Sequence, residues 1–348
     1  MMKKRKTGFL LLLLVALLGG CGKTDSQTPQ QETEQTETTE ETGDSQGATR
    51  AKVIQRAAWC VYWDGDAVFA SAGNLANYDE LILFGCIYDE NADLYIPEQL
   101  RQLYEEFPVT GEQTRLYLSF INDVMQEDGT AVQKSPEFLA QVLKDEQLGD
   151  RVIEEMIAQT KAWGLDGVEL DYENIDRQEN LWNEYLEFVD RLARRTEEEG
   201  LSLRVVLGAY APVNEYSFPT APQYVVMCYN LYGTHSAPGP KADAEFLQQM
   251  VERFDGMNVA FALANGGFEW DDQDRAVRSL TAQSAGKLLV ESGADYIREE
   301  SGAVHFTYPA EDGTHTVWYG DKETIAKWEE VLTGYSRQDI EVDLWRLE

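Results

Sequence analysis

The chain has 348 residues, with 62 acidic against 29 basic side chains and a formal charge of −33 at neutral pH. That balance argues against nucleic acid and anionic lipid head groups as ligands, and no Lys/Arg patch is interleaved with aromatics. Neutral ligands such as sugars suit such a surface, and 8 Trp and 17 Tyr offer rings to stack on, although most aromatics serve a core.

The first 20 residues carry Lys3, Lys4, Arg5 and Lys6 and then an apolar run, FLLLLLVALL, too short to span a bilayer comfortably. The stretch ends in LGGC, with Leu18 three residues before Cys21. This spacing resembles the bacterial lipobox, whose cysteine is lipidated after cleavage; an ordinary secretion signal with an incidental cysteine is the alternative. Residues 22–49 contain no aromatic, Ile, Leu or Val, so they cannot offset their ordering entropy by burial. The expectation is a signal peptide over 1–20, an acidic tether over 21–50 and a folded domain over 51–348. The protein would be extracytoplasmic, a monomer held at the bacterial cell membrane through lipidated Cys21.

From residue 51 short apolar runs alternate with amphipathic stretches. Strands are predicted at 57–63, 80–88, 114–121, 165–173, 202–209, 223–230, 257–264 and 340–346. Helical stripes lie between them, with Val152, Ile153, Met156, Ile157 and Thr160 on one face of 151–163. Leu181, Tyr185, Phe188, Val189 and Leu192 do the same within 179–199. Eight strands with helical crossovers point to an α/β fold, a (β/α)8 barrel. The doubly wound open sheet competes, but no GxGxxG follows the first strand. The span 275–320 is too long for one crossover helix and predicts a small α+β insertion between strands seven and eight. Cys60, Cys86 and Cys228 each sit in an apolar run and read as buried free thiols. With three histidines and no CxxC, no zinc site is expected.

One strand asks for an explanation. In LDGVELDYENI (165–175), Glu169, Asp171 and Glu173 alternate with Val168, Leu170 and Tyr172. A strand entered from a crossover helix is covered on both faces, so the apolar parity suits the helix layer and the acidic parity points into the barrel. Burying three carboxylates costs several kcal/mol unless they are paired or share protons, and crowding raises the proton affinity of at least one. A barrel mouth is where such a group can act as a general acid. The bland alternative is an edge strand with a solvated acidic face.

These residues resemble the signature of glycoside hydrolase family 18, the chitinases, endo-β-N-acetylglucosaminidases and spore-wall N-acetylglucosaminidases. Its fourth strand carries DGxDxDxE, and Asp166-Gly167-Val168-Glu169-Leu170-Asp171-Tyr172-Glu173 matches except at Glu169. The family's MxYD is similar to Met227-Cys228-Tyr229-Asn230, and Trp345 fits its strand-eight tryptophan. The stretches DEQLGDRVIEEMIAQTKAWGLDGV and VWYGDKETIAKW look like the spore-wall branch, so the likeness spans roughly residues 55–348. Three positions differ: Glu169 replaces Asp, Asn230 replaces an acidic residue, and YLSFIND lacks the family's SxGG.

The resemblance implies retaining, substrate-assisted hydrolysis of a β-linkage following N-acetylglucosamine, in peptidoglycan, chitin oligomers or N-glycan cores. Glu173 would be acid then base, Asp171 would hold the acetamide N–H, and Tyr229 would donate to the acetamide oxygen. Trp345 would stack under the ring, with Glu169, Asn230 and Met227 as further substrate contacts. No cofactor or metal is implied. A non-catalytic glycan-binding lipoprotein on the same barrel is the rival, and retention of Glu173 favours the enzyme. An importer's binding lipoprotein would need two lobes rather than eight strands.

Overall fold

The structure is a computed structural model that describes residues 51–108, 113–177 and 179–347. The expected signal peptide, tether and Cys21 lie outside the described residues.

In chain order the strands begin with β1 (Val53–Val61) and β2 (Glu80–Asp89), on which the two-residue β3 (Leu94–Tyr95) folds back. Next come β4 (Arg115–Met125), extended by the short β5 (Ala131–Val132), then β6 (Gly167–Asp171), β7 (Ser202–Gly208), β8 (Gln223–Met227) and β9 (Val259–Ala264). An insertion supplies β10 (Gly266–Trp270), β11 (Ala276–Leu280), β12 (Tyr296–Arg298), β13 (Val304–Ala310) and β14 (Gly313–Gly320), before β15 (Ile340–Trp345). Strands β1, β2, β4, β6, β7, β8, β9 and β15 pair in parallel in that cyclic order, and the β1–β15 and β2–β4 ladders close the barrel. This is the expected (β/α)8 barrel.

Around it run α1 (Gly65–Ala70), α2 (Glu98–Glu105), α3 (Pro136–Lys144), α4 (Glu146–Ala162), α5 (Trp182–Glu198), α6 (Ala244–Arg253) and, after α7 (Ala282–Ser292) of the insertion, α8 (Lys322–Tyr335). The stripe expected on 151–163 is the buried face of α4, which starts earlier because Asp145 caps it, accepting from the backbone N–H groups of Gln147 and Leu148. Phe188 and Leu192 of α5 are fully buried, each worth about 1.5–3 kcal/mol of transfer free energy. The connection between β7 and β8, residues 209–222, is a loop rather than a helix.

The two-residue period of each strand sorts its side chains into two cores. Val168, Leu170 and Tyr172 pack outward under the helices, together with Cys60, Cys86 and Cys228, which are buried and free. Ala57, Trp59, Val61, Ile82, Phe84, Tyr117, Val206, Val225 and Met227 fill the interior. Glu169 and Asp171 share that inward parity, as the alternation predicts.

The insertion is larger than expected, beginning at Gly266 rather than near 275. Its five strands run β11-β10-β14-β13-β12, antiparallel throughout, with α7 packed on one face. Gly266 has φ 63°, and a Cβ on Gly267 would lie 1.8 Å from the Trp318 carbonyl oxygen, so this pair turns the chain out of β9 into the second sheet.

Candidate active site

Strand β6 ends at Asp171, which leaves Glu173 on the loop just past it, at the C-terminal mouth of the barrel. What fixes Glu173 there is Asn122, a side chain 1% exposed near the end of β4. The Glu173 backbone N–H donates to Asn122 Oδ1 at 2.9 Å, and Asn122 Nδ2–H donates to the Glu173 carbonyl at 3.0 Å. Two opposed bonds from one amide leave this segment little freedom to rotate.

The same stretch of β4 builds the opposite wall. Beyond Ile121 the strand runs four residues further than its apolar pattern suggested and pairs with β5. The chain then returns through Lys134, at φ 50°, whose backbone N–H donates to Asp123 Oδ1 at 2.7 Å. Ser135 N–H donates to the Asn122 carbonyl at 2.8 Å, and Ser135 with Pro136 opens α3 as cap and first helical residue. This return places Lys134 Nζ 2.6 Å from Glu173 Oε1.

A cavity of about 960 Å³ opens between these elements, lined among others by Asp171, Glu173, Met227, Tyr229, Asn230 and Trp345. Six of the expected site residues are therefore brought together around one space. Trp345 packs edge-on against Trp59 and Phe84, with ring centroids 5.6 and 4.9 Å away. Tyr229 and Asn230 lie past the end of β8, which stops at Met227 rather than at 230, and Asn230 Nδ2 rests 3.8 Å from Met227 Sδ. Outside this group, Trp63 and Tyr95 add exposed rings at the rim.

Glu169 is the exception and corrects the expectation that it touches substrate. It is fully buried one layer below and does not line the cavity. Its Oε1 accepts from Trp59 Nε1 at 2.7 Å, and its Oε2 accepts from Arg204 Nε at 3.0 Å. Arg204, inward on β7, also grips Glu80 and Asp343, and Tyr117 OH donates to Glu80 Oε1 at 3.1 Å. Burial opposes the guanidinium's charge, but Asp343, Glu169 and Glu80 together outweigh it and hold it protonated. The longer side chain at 169 thus reaches a buried arginine instead of the cavity.

Asp171 has no such partner: its Oδ1 is buried without a hydrogen bond among the described residues. Burial first, then the charges of Glu173 and Glu169, push its carboxyl well above the ordinary range, against the pull of Lys134. Burial and the Asp171, Glu173 and Glu169 charges also push the Tyr229 phenol up, which keeps it a neutral donor. Of the two carboxyls, Asp171 is the one driven toward its neutral form, while Glu173 is the one held against the Lys134 ammonium.

Sequence reasoning missed Asn122, Asp123, Lys134 and Arg204. An arginine inside the apolar run SLRVVLGA was the readable sign of the last. A second cavity, about 890 Å³, lies along α1 and α8 beside the Arg56–Glu329 ion pair and contains none of the carboxylates above.

No protein-family model matches the sequence, and no curated protein matches it. Solved structures do resemble its fold. A chitinase from Chromobacterium violaceum ATCC 12472 aligns with a TM-score of 0.66 at 17% identity, over 84% of this chain and 94% of that one. The spore cortex-lytic enzyme of Bacillus cereus gives 0.65 at 17% identity, over 86% and 72%. A GH18 chitinase from Cycas revoluta, in complex with (GlcNAc)3, gives 0.67 at 14% identity, over 84% and 95%. At these identities the likeness is one of fold.

Proposed function

We propose that this protein is a retaining glycoside hydrolase that cleaves the β-linkage following an N-acetylglucosamine, with the substrate's own acetamide as nucleophile. The observation that carries the reading is the convergence of Asp171, Glu173, Tyr229 and Trp345 on one cavity at the barrel mouth. The fold shared with chitinases and a spore cortex-lytic enzyme supports it.

With the sugar stacked on Trp345, the acetamide carbonyl oxygen attacks C1 as the C1–O glycosidic bond breaks, and Glu173 passes its proton to the departing oxygen. Asp171 accepts from the acetamide N–H and balances the positive charge of the oxazolinium; Tyr229 O–H donates to the acetamide oxygen. Water then attacks C1, the C1–acetamide bond breaks, and Glu173 recovers a proton from that water. Asp171 and Tyr229 both meet groups whose charge develops during reaction, so they act on the transition state more than on bound sugar.

Peptidoglycan, chitin oligomers and N-glycan cores all offer such a linkage, and attachment through lipidated Cys21 would hold the barrel at the cell surface. The decisive test compares Glu173→Gln with the parent on chitin oligomers, peptidoglycan and a high-mannose glycopeptide, with products read by mass spectrometry. Turnover is expected to fall at least ~100-fold, the usual worth of general acid catalysis, with the fold intact. Unchanged turnover, or equal cleavage of a glycan bearing a 2-hydroxyl in place of the acetamide, would refute the mechanism.

A further inference from the structure

The acid of the first step has to be protonated, yet Glu173 stands in an ion pair. Its partner, Lys134, is the one cationic side chain among the described residues lining the cavity, and that side chain is 49% exposed. It stands on the return from β5 rather than on a barrel strand, anchored by its backbone N–H to Asp123 and not by its ammonium. Its four-carbon stem is therefore free to swing about a fixed base.

Among the described residues, Tyr62 and Tyr95 add phenols to the same cavity, Tyr62 facing Asp123, and four charged or titratable groups face Glu173 itself. Asp171 approaches from β6, Tyr229 from the end of β8, Asp123 from β4, and Lys134 from the β5–α3 connection. Asp123 gives the ammonium a second anion: it lies within electrostatic reach of both Lys134 and Glu173, and burial raises its carboxyl against the pull of the lysine.

Resting on the glycosidase reading above, we infer that Lys134 is a positioning residue that decides when Glu173 carries the catalytic proton, by leaving Glu173 for Asp123. With the ammonium on Glu173, that carboxyl stays ionised and the proton stays on Asp171. With the ammonium on Asp123, the proton belongs to Glu173 and the glycosidic oxygen can be protonated. Once the oxazolinium has formed, Glu173 is a carboxylate again, and the returning lysine stabilises that charge until water delivers its proton. Each proton is accounted for: one passes from Asp171 to Glu173 and on to the leaving group, one passes from water to Glu173 and back to Asp171 as the lysine settles on Glu173, and the lysine stays charged throughout.

The test measures kcat/KM against pH for the parent, K134M, K134R and D123N on two substrates. One is an unactivated N-acetylglucosamine oligomer; the other is an aryl glycoside whose leaving group departs without protonation. Removing the lysine favours protonated Glu173, so K134M is expected to move the alkaline limb on the oligomer up by at least about half a pH unit. The limb on the aryl glycoside should stay where it is. K134R should restore the parental profile, and D123N, which takes away the resting place, should move the limb down. Coincident limbs for the parent and K134M, or a uniform loss on both substrates at every pH, would overturn the inference while leaving the glycosidase reading intact. No turnover by the parent on either substrate would remove that reading and the lysine's role with it.

Discussion

Glu169 and Asp171 stand two residues apart on one strand and face the same interior, the first fully buried and the second half-buried in the cavity wall, yet they are treated oppositely. The lower carboxylate is bound to Trp59 and Arg204, within a cluster that also holds Glu80 and Asp343. The upper one is left with an unpartnered oxygen in a cavity wall. A buried charge with its counter-charge fixes a layer of the barrel, whereas one without it stores an unfavourable interaction that a ligand can relieve. The two layers separate structure from chemistry within a single turn of the strand's pleat.

The sharpest way to break this contrast is to strip the lower layer of its cation. Arg204→Met would leave Glu169 and Asp343 in the interior without a cation, while Glu80 keeps Arg115, and unfolding by urea is expected to show a loss of about 3–5 kcal/mol, the range for breaking a buried pair from one side. Replacing Glu169 by Met in the same chain should recover part of it. A loss under about 1 kcal/mol would mean that the cluster is not the uncompensated hazard that burial implies.

The upper layer should answer in the other direction. Asp171→Asn is expected to abolish most turnover yet stabilise the fold at pH 8 by about 0.5–2 kcal/mol, the common scale of a function–stability exchange. The sign follows from the raised carboxyl. The parent's neutral form contributes fully below the unfolded value near 3.8, and that contribution is lost as pH rises through the folded value. The gain should therefore shrink towards pH 4. A variant less stable than the parent at pH 8 would show that Asp171 is a structural anion.

The inserted sheet offers the mildest version of the comparison. There Glu269 of β10 accepts from His315 Nδ1 of β14 at 2.5 Å and from Arg278 Nε of β11 at 2.6 Å, and Tyr308 of β13 donates to it as well. The Glu269 bond, opposed by burial and helped by Asp312, raises His315 above 6.5. Burial works against Glu269, but bonds from His315, Tyr308 and Arg278 hold it below 4.5. The histidine's contribution is complete below its unfolded value and fades as pH rises through the folded one; the glutamate's is complete above its unfolded value and fades in acid. Protection factors of the β13 and β14 amides, corrected for base-catalysed intrinsic exchange, should be highest between those two values and lower at pH 9, and His315→Gln should flatten the alkaline side. Protection factors that ignore pH in the parent would deny the pair any such role.

Much of the barrel was legible because its signals are local. The acidic–apolar alternation of 165–175 gives inward and outward faces without any partner strand, and the stripe on α4 declares its buried side. Trp345 and Tyr229 were found through motif likeness rather than physics. What stayed hidden depends on contacts distant in sequence. Asn122 gains meaning only when β4 lies beside β6, 51 residues on, and Lys134 only when β5 folds back on β4. Strand ends were misjudged where apolar runs continue past the last ladder bond, as at Tyr229. The insertion's start was hidden because Gly266-Gly267 reads as a turn until the second sheet is seen to need it.

The outward parity that puts Cys60, Cys86 and Cys228 under the helices gives the molecule a built-in clock. Burial pushes all three thiols well above their usual range, so none is a ready nucleophile while the helices stay down. Alkylation at these positions then runs only as fast as the wall opens. Cys60 on β1 and Cys86 on β2 time the first quarter of the barrel, and Cys228 just past β8 times the far side. If the two sides are labelled in step, the ring breathes as one body; if they are not, the order of labelling says which side lets go first.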